Sequence, residues 1–227
     1  MFKPRYYSKI YRSFLTLEEN AFQEVIRFFE ENEAVIQELD FDEYFDVLVA
    51  YVTALFEVGA YKEHLTMVDV VIETSILNNI SEYRGEDLFR RMLFRKAASL
   101  YHTRQFQKAE HVLGELLRMD AEDQGAILFM KKCLRTHYPQ IRSNAHAAAV
   151  FLFLLTALVI AVEVLLIRPF YEMHAKTVET SRNSIFALGI LLLIFGDVYH
   201  RYLAEREVRG FLRAVRRGRV EKTPEND

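Results

Sequence analysis

The longest apolar segment of the chain lies between residues 147 and 167, where 21 consecutive residues contain one charged side chain, Glu163. A helix of that length rises about 30 Å, which matches the hydrocarbon thickness of a bilayer. A core helix of a soluble protein normally keeps a polar stripe, and this segment has none. The pattern predicts a membrane-spanning helix, with a buried helix of a soluble fold as the alternative.

A second, shorter apolar segment over residues 185–199 follows the first. A few flanking residues, or local thinning of the bilayer, allow it to span as well. The two segments predict a transmembrane helical hairpin over residues 145–199, with spans near 147–167 and 184–200.

The N-terminal part of the chain shows helical spacing of apolar positions. Thr16, followed by Glu19 three positions later, matches a capping box at the start of a helix over 17–32. Asp40 and Gly59 bracket a second helix, and four more helical patterns follow, over 60–77, 86–103, 105–119 and 122–137. Their short connections predict stacked antiparallel hairpins, so the predicted fold class is all-α.

One hairpin resembles a tetratricopeptide repeat (TPR), a 34-residue helix–turn–helix unit. The resemblance rests on residues 97–126, AASLYHTRQFQKAEHVLGELLRMDAEDQGA. Small residues, a turn aromatic and inner-face leucines stand where the family has them, at Ala97, Phe106, Ala109, Leu113 and Leu116. The family's closing pattern is kept at Asp120 and Ala126, with Ala121 in place of proline.

A second stretch, residues 54–73, has the same turn, with Tyr61 matching Phe106. It departs from the family at His64, where a small residue is expected, and the two aromatics lie 45 residues apart. The segment ILNNISEYRGED is therefore an insertion. The resemblance covers about residues 41–137 of a predicted helical domain over 1–140, with an unrelated helical bundle as the alternative.

TPR first helices line a concave binding surface, so the resemblance implies such a face here. This face would comprise Val49, Thr53 and Phe56 from the first repeat, Arg91, Phe94, Ala98 and Tyr101 from the second repeat, and Leu128, Lys132 and Arg135 from the next helix. Chaperone-tail binders have a lysine and an asparagine where Val49 and Thr53 stand, which disfavours that ligand. We expect partner proteins to bind at Arg91, Phe94, Tyr101, Lys132 and Arg135; alternatively, Phe94 and Tyr101 only pack between helices.

Charge is unevenly distributed, although the net charge is only −3. Basic residues flank both spans on the outer sides of the hairpin, whereas the connection over 168–184 has three basic and two acidic side chains. The positive-inside tendency predicts cytoplasmic N- and C-termini and an external connection. The single cysteine, Cys133, excludes an internal disulfide and agrees with a reducing compartment, and the N-terminus lacks the apolar core of a secretory signal.

The C-terminal segment, residues 200–227, predicts a basic amphipathic helix with a short disordered end. Its apolar face comprises Ala204, Val208, Phe211, Leu212 and Val215. Its arginines, which include Arg209, Arg213, Arg216 and Arg217, are typical of an interfacial helix that binds anionic headgroups. The alternative is a plain stop-transfer flank.

Glu163 lies one turn inside the outer membrane boundary, where it can reach the interface or pair with Arg168. Small residues predict the seam of the hairpin, at Ala149, Ala157 and Ala161 of the first span and Gly189 and Gly196 of the second. Glu163 then points away from that seam, together with Thr156 and Ile160. This predicts a contact with another membrane-embedded subunit, a second copy or a different protein, along Thr156, Ile160 and Glu163.

Residues 28–46 carry eight acidic and no basic side chains, which indicates either a solvated face or a docking site for a basic partner, such as the tail itself. Nothing in the chain resembles a phosphate loop, a nucleophile motif or a metal site, and Cys133 with His137 is only half of a ligand set. We expect no catalysis, cofactor, metal or nucleic acid. The sequence favours a membrane-anchored scaffold; the alternative is an accessory subunit of a transporter, channel or motor.

Overall fold

A computed structural model of the chain describes residues 7–18, 20–137, 139–167 and 175–222. The predicted all-α class is confirmed, with one short β-hairpin added. The elements in chain order are α1 (Lys9–Phe14), α2 (Phe22–Ile36), α3 (Phe41–Glu57), α4 (Tyr61–Leu77), β1 (Glu82–Tyr83), β2 (Glu86–Asp87), α5 (Leu88–His102), α6 (Phe106–Met119), α7 (Gln124–His137), α8 (Pro139–Val162), a π-helical turn (Glu163–Ile167) and α9 (Ala175–Lys222). Two compact units meet within α7, Met1–Ala126 and Ile127–Asp227.

The first unit is organised around α3, which packs against α2 and α4. Its apolar side chains are buried on several faces, because helices cover it on more than one side. Further along, α4 packs against α5 and α5 against α6, which gives a row of helical hairpins. The boundaries of α3 to α7 lie within two residues of the predicted ones.

The N-terminal helix differs from the prediction. α2 begins at Phe22, with Ala21 at its N-cap and no side-chain cap, so the predicted start at residue 17 is wrong. Thr16 instead follows the short α1, and its hydroxyl donates to the carbonyl of Ser13 at 2.7 Å. Thr16 therefore provides a hydrogen-bond donor at the end of one helix instead of capping the start of the next. Glu19 lies outside the described residues.

The α3–α4 and α5–α6 hairpins share one turn geometry. Gly59, with φ +80°, and Arg104, with φ +60°, occupy its left-handed position. After Gly59, the N–H of Ala60 donates back into α3 at 2.9 Å, and the equivalent bond after Arg104 measures 2.8 Å. Tyr61 and Phe106 then begin α4 and α6. The two hairpins are equivalent around their turns despite their different sequences.

The segment predicted as an insertion forms the β-hairpin, a structure that the sequence patterns did not indicate. Its strands pair Glu82 with Asp87 and Tyr83 with Glu86. Arg84 and Gly85 form the turn, both with positive φ, which is the backbone that tight β-hairpin turns require.

The second unit contains α8 and α9, which pack side by side. Gly189 of α9 lies against the ring of Phe153, and Gly196 lies against Ala145, so close that an added Cβ would come within 2.5 Å of the alanine methyl. Residues Ser143–Leu165 and Lys176–Arg217 are long and apolar enough to cross a membrane. We call α8 and the part of α9 up to residue 200 the apolar hairpin.

α9 is a single helix of 48 residues, and its ends do not coincide with the predicted boundaries at residues 184 and 200. Of the predicted connection over 168–184, residues 175–184 are helical, while 168–174 lie outside the described residues. At the other end α9 continues through residue 200 without a break. The basic tail therefore extends the second apolar helix instead of forming a separate one.

Candidate functional site

A buried ion pair joins the two helices of the apolar hairpin. Arg182 of α9 donates from Nη1 to Oε2 of Glu163 at 2.9 Å, and the Glu163 side chain is only 2% exposed. Thr156 is also buried, and its hydroxyl donates to the carbonyl of Leu152 within α8 at 2.8 Å. With Ala149 these residues form a buried face at seven-residue spacing.

The predicted orientation of Glu163 is therefore wrong. Ala149, Thr156 and Glu163 are buried, whereas Ala157 and Ala161 are exposed. Ala149 does not share the helical face of Ala157, because at 100° per residue it lies closer to Thr156 than to Ala157. Ile160, 42% exposed, does not share the buried face, so Thr156, Ile160 and Glu163 do not form one outward surface.

The predicted partner-binding arginine of α5 is engaged within the first unit. Arg91 donates from Nη1 to Glu86 at 2.7 Å and lies 5.7 Å from the centre of the Tyr83 ring. One turn further, Arg95 makes the same kind of contact with Phe56 and with the carboxylate of Glu57. Burial lowers the pKa of Arg95, although the neighbouring carboxylate acts in the opposite direction. Both guanidinium groups thus have acidic and aromatic neighbours from their own chain.

Other members of the predicted concave face differ in accessibility. Val49 and Ala98 are buried, so they cannot contact a ligand on an open surface. Phe94 and Tyr101 are half-buried, and the Tyr101 ring meets Phe106 edge-on at 5.5 Å. Lys132 and Arg135 are exposed, and they belong to the second unit.

A pocket between α1, the start of α3 and the β-hairpin was not predicted. Asp46 is part of its lining and accepts hydrogen bonds from the hydroxyls of Tyr11, at 2.8 Å, and Tyr83, and from Arg84 at 3.3 Å. Burial, followed by the hydrogen bond to Asp46, raises the pKa of both phenols above the ordinary value. The acidic run over 28–46 was recognised in the sequence, but the pairing of Asp46 with tyrosines about 35 residues away depends on tertiary structure.

His64 is buried between α4 and α5, where the repeat family has a small residue. Its Nδ1 lies 2.9 Å from the hydroxyl of Ser99, and its Nε2 has no hydrogen-bond partner. Burial lowers the pKa of His64 to about 4, with a smaller contribution in the same direction from Arg95. The imidazole is therefore neutral at physiological pH and belongs to the packing of the two helices.

The arginines of the tail lie on exposed parts of α9. Arg209, Arg213, Arg216 and Arg217 are all exposed, and Arg209 pairs with Glu205 at 2.8 Å. On the other side of the helix Ala204 and Val208 are buried by the protein. The predicted apolar face is consequently not fully available to lipid.

Among the residues that the structure describes, no group of three or more His, Cys, Asp or Glu side chains could hold a metal ion. Cys133 is a buried thiol, and the side chain of His137 lies outside the described residues. Comparison with known proteins finds no matching family profile, no similar curated protein and no similar solved structure.

Proposed function

We propose that this protein is a membrane-anchored adaptor, in which the apolar hairpin holds the chain in a bilayer and the N-terminal helical unit binds partner proteins. It has no catalytic role of its own. The proposal combines an anchor, argued from exposed apolar surface, with a binding domain of TPR-like helical hairpins.

The observation that carries the anchor is the exposure of the apolar hairpin. Only 17% of the most apolar window of α8 and 12% of that of α9 are buried. Phe151, Leu154 and Phe195 are each about two-thirds exposed. A core helix of a soluble protein buries such side chains, whereas a helix in lipid leaves them on its surface.

The shared turn of the α3–α4 and α5–α6 hairpins supports a repeat-type binding domain. Around the turn, the first helix ends and the second helix begins at equivalent positions 45 residues apart, as expected for two copies of one structural unit. Stacked hairpins provide an extended surface without catalytic machinery. Lys132 and Arg135, which are exposed on α7 in the second unit, remain separate candidates for partner contact.

We infer cytoplasmic ends for the chain from its basic flanks, and contact of the tail with anionic lipid from its arginines. The continuity of α9 limits which of these arginines lie near the headgroups. At 1.5 Å per residue, Arg209 lies about 13 Å beyond residue 200 and Arg217 about 25 Å. Headgroups occupy roughly 5–8 Å on each side of the hydrocarbon, so Arg209 is nearer to them than Arg213, Arg216 or Arg217 if the helix leaves the bilayer steeply.

Two measurements test the proposal. Alkaline carbonate should leave the full chain in the membrane pellet, and its release into the supernatant would contradict the anchor. Crosslinking in native membranes, followed by capture, identifies the partners. A chain without residues 145–199, checked for helicity by circular dichroism, should then capture the same partners. If the folded remainder captures none of them, the rival function is correct, and the protein is an accessory subunit that assembles through its hairpin.

A further inference from the structure

We infer that the pocket between α1, α3 and the β-hairpin binds a guanidinium group, supplied by an arginine-bearing segment of a partner protein. This inference deepens the proposed adaptor function by naming the chemistry of a partner. It rests on a cavity of about 780 Å³ whose lining combines aromatic rings with carboxylates.

The charge of the pocket selects a cation. Among the described residues, the lining includes four carboxylates, from Asp40, Asp42, Glu43 and Asp46, and one guanidinium, that of Arg84. The lining therefore carries a net negative charge, which attracts a basic group and repels phosphates or acidic peptides.

The lining of the pocket already includes a guanidinium from its own chain. Arg84 lies 5.3 Å from the centre of the Tyr83 ring and pairs with Asp46 at 3.3 Å. Asp46 also accepts from two tyrosine hydroxyls, and the buried Glu43 accepts from the backbone N–H of Ser8 at 3.0 Å. Asp46 and Glu43 thus hold the pocket together.

Other lining residues provide a second set of the same groups. Tyr7 and Phe41 are 43% and 40% exposed, so part of each side chain is accessible to a ligand. Phe41, which also lines the pocket, stacks on Phe45 with ring centres 5.7 Å apart. Asp40 and Asp42, its sequence neighbours, are both exposed, and Asp40 makes no side-chain bond to the N-terminus of α3. A flat, weakly hydrated guanidinium suits aromatic faces beside carboxylates better than a strongly hydrated ammonium or a metal ion does.

The test uses the full chain in nanodiscs of zwitterionic lipid at physiological salt. The probe is a fluorescein-labelled Gly-Arg-Ala-Arg-Gly peptide, and its matched control carries citrulline, which has nearly the same shape without the charge. Fluorescence anisotropy should show saturable binding of the arginine peptide and at least tenfold weaker binding of the citrulline peptide. Equal binding of the two peptides, or no saturable binding of the arginine peptide, overturns the inference.

Variants locate the site. Asp40→Asn with Asp42→Asn, and separately Phe41→Ala, should each weaken binding at least tenfold. Glu24→Gln with Glu73→Gln makes the same charge change at exposed positions outside the pocket and should stay within twofold of the unaltered chain. An equal loss in both charge variants would show only general attraction, which contradicts a site in the pocket. Circular dichroism checks that each variant is folded.

One further variant identifies the source of the cation. Changing Arg209, Arg213, Arg216 and Arg217 to glutamine should leave peptide binding unchanged. If binding instead becomes tighter, the tail of the chain competes for the pocket, and the assignment to a partner protein is overturned. Failure of the peptide test leaves membrane anchoring and partner capture intact, so the two proposals fail separately.

Discussion

Arg182 and Glu163 form an ion pair across the apolar hairpin, 19 residues apart in sequence and 2.9 Å apart between Nη1 and Oε2. The carboxylate is almost fully covered, while the arginine side chain remains 22% exposed. A carboxylate in a hydrophobic segment is costly unless a cation neutralises it. The pair therefore explains an acidic residue in the first apolar helix without an additional subunit.

Breaking this pair should destabilise the hairpin. We expect Glu163→Gln or Arg182→Gln to lower the free energy of unfolding in detergent by ~1–3 kcal/mol, less than for a fully buried pair because Arg182 is partly exposed. Exchanging the two residues, Glu163→Arg with Arg182→Glu, should recover part of the loss. Glu179→Gln is the matched control, since that carboxylate lies 3.9 Å from Arg182 and is 56% exposed. If either single variant is as stable as the unaltered chain, the ion pair does not stabilise the hairpin.

The glycines of α9 should respond oppositely to alanine. At Gly196 an added Cβ meets Ala145 at 2.5 Å, and overpacking of this kind costs ~1–3 kcal/mol. At Gly210 nothing lies within 4 Å, so Gly210→Ala should stabilise the helix by about 1 kcal/mol. Denaturation in mixed detergent micelles measures both. A harmless Gly196→Ala would indicate that α8 and α9 are not in close contact there.

His64 should make the stability of the first unit depend on pH. Its pKa is about 4 in the folded chain, below the ordinary 6.5, so the unfolded chain takes up a proton first as pH falls. The contribution of His64 to the free energy of unfolding is fully present above pH 6.5. It is lost between pH 6.5 and about 4, by at most ~1.4 kcal/mol per pH unit. Urea unfolding at pH 7 and pH 5 measures the difference. His64→Ala should reduce it, whereas His111→Gln, at an exposed position, should not.

Arg104 occupies a backbone conformation that glycine adopts without strain. With φ +60° it stands where Gly59 stands in the preceding hairpin. Arg104→Gly should therefore stabilise the first unit by about 0.5–1 kcal/mol, and Gly59→Ala should destabilise it by a similar amount. The two changes, measured by thermal unfolding, have opposite signs. Destabilisation by Arg104→Gly would mean that the arginine side chain contributes more than its backbone strain costs.

Membrane topology is tested by cysteine labelling in intact cells, after Cys133→Ser removes the natural thiol. A cysteine at Thr177 should react with an impermeant reagent, and one at Ser81 should react only after permeabilisation. This follows from the basic flanks, which favour the cytoplasmic side. The reverse labelling pattern would contradict the inferred orientation.

Local patterns predicted the helices well and the contacts between distant residues poorly. Amphipathic spacing and turn residues such as Gly59 located α3 to α7, because these signals act within a few residues of each other. Arg104 gave no such signal, since arginine is unusual at a left-handed turn. The partners of Glu163 and Asp46 depend on which helices and strands meet. A grouping of alanines on one helix was therefore insufficient to orient Glu163.

The unbroken α9 also has a mechanical consequence. From residue 199 to Lys222 the helix extends about 35 Å beyond its apolar part. A change of ~10° in the tilt of the apolar part, within the range that membrane helices adopt, would swing the end of a stiff rod of this length sideways by about 6 Å. In the proposed membrane anchor, the helix would act as a lever arm, which would convert a change in bilayer thickness into displacement of its C-terminal end.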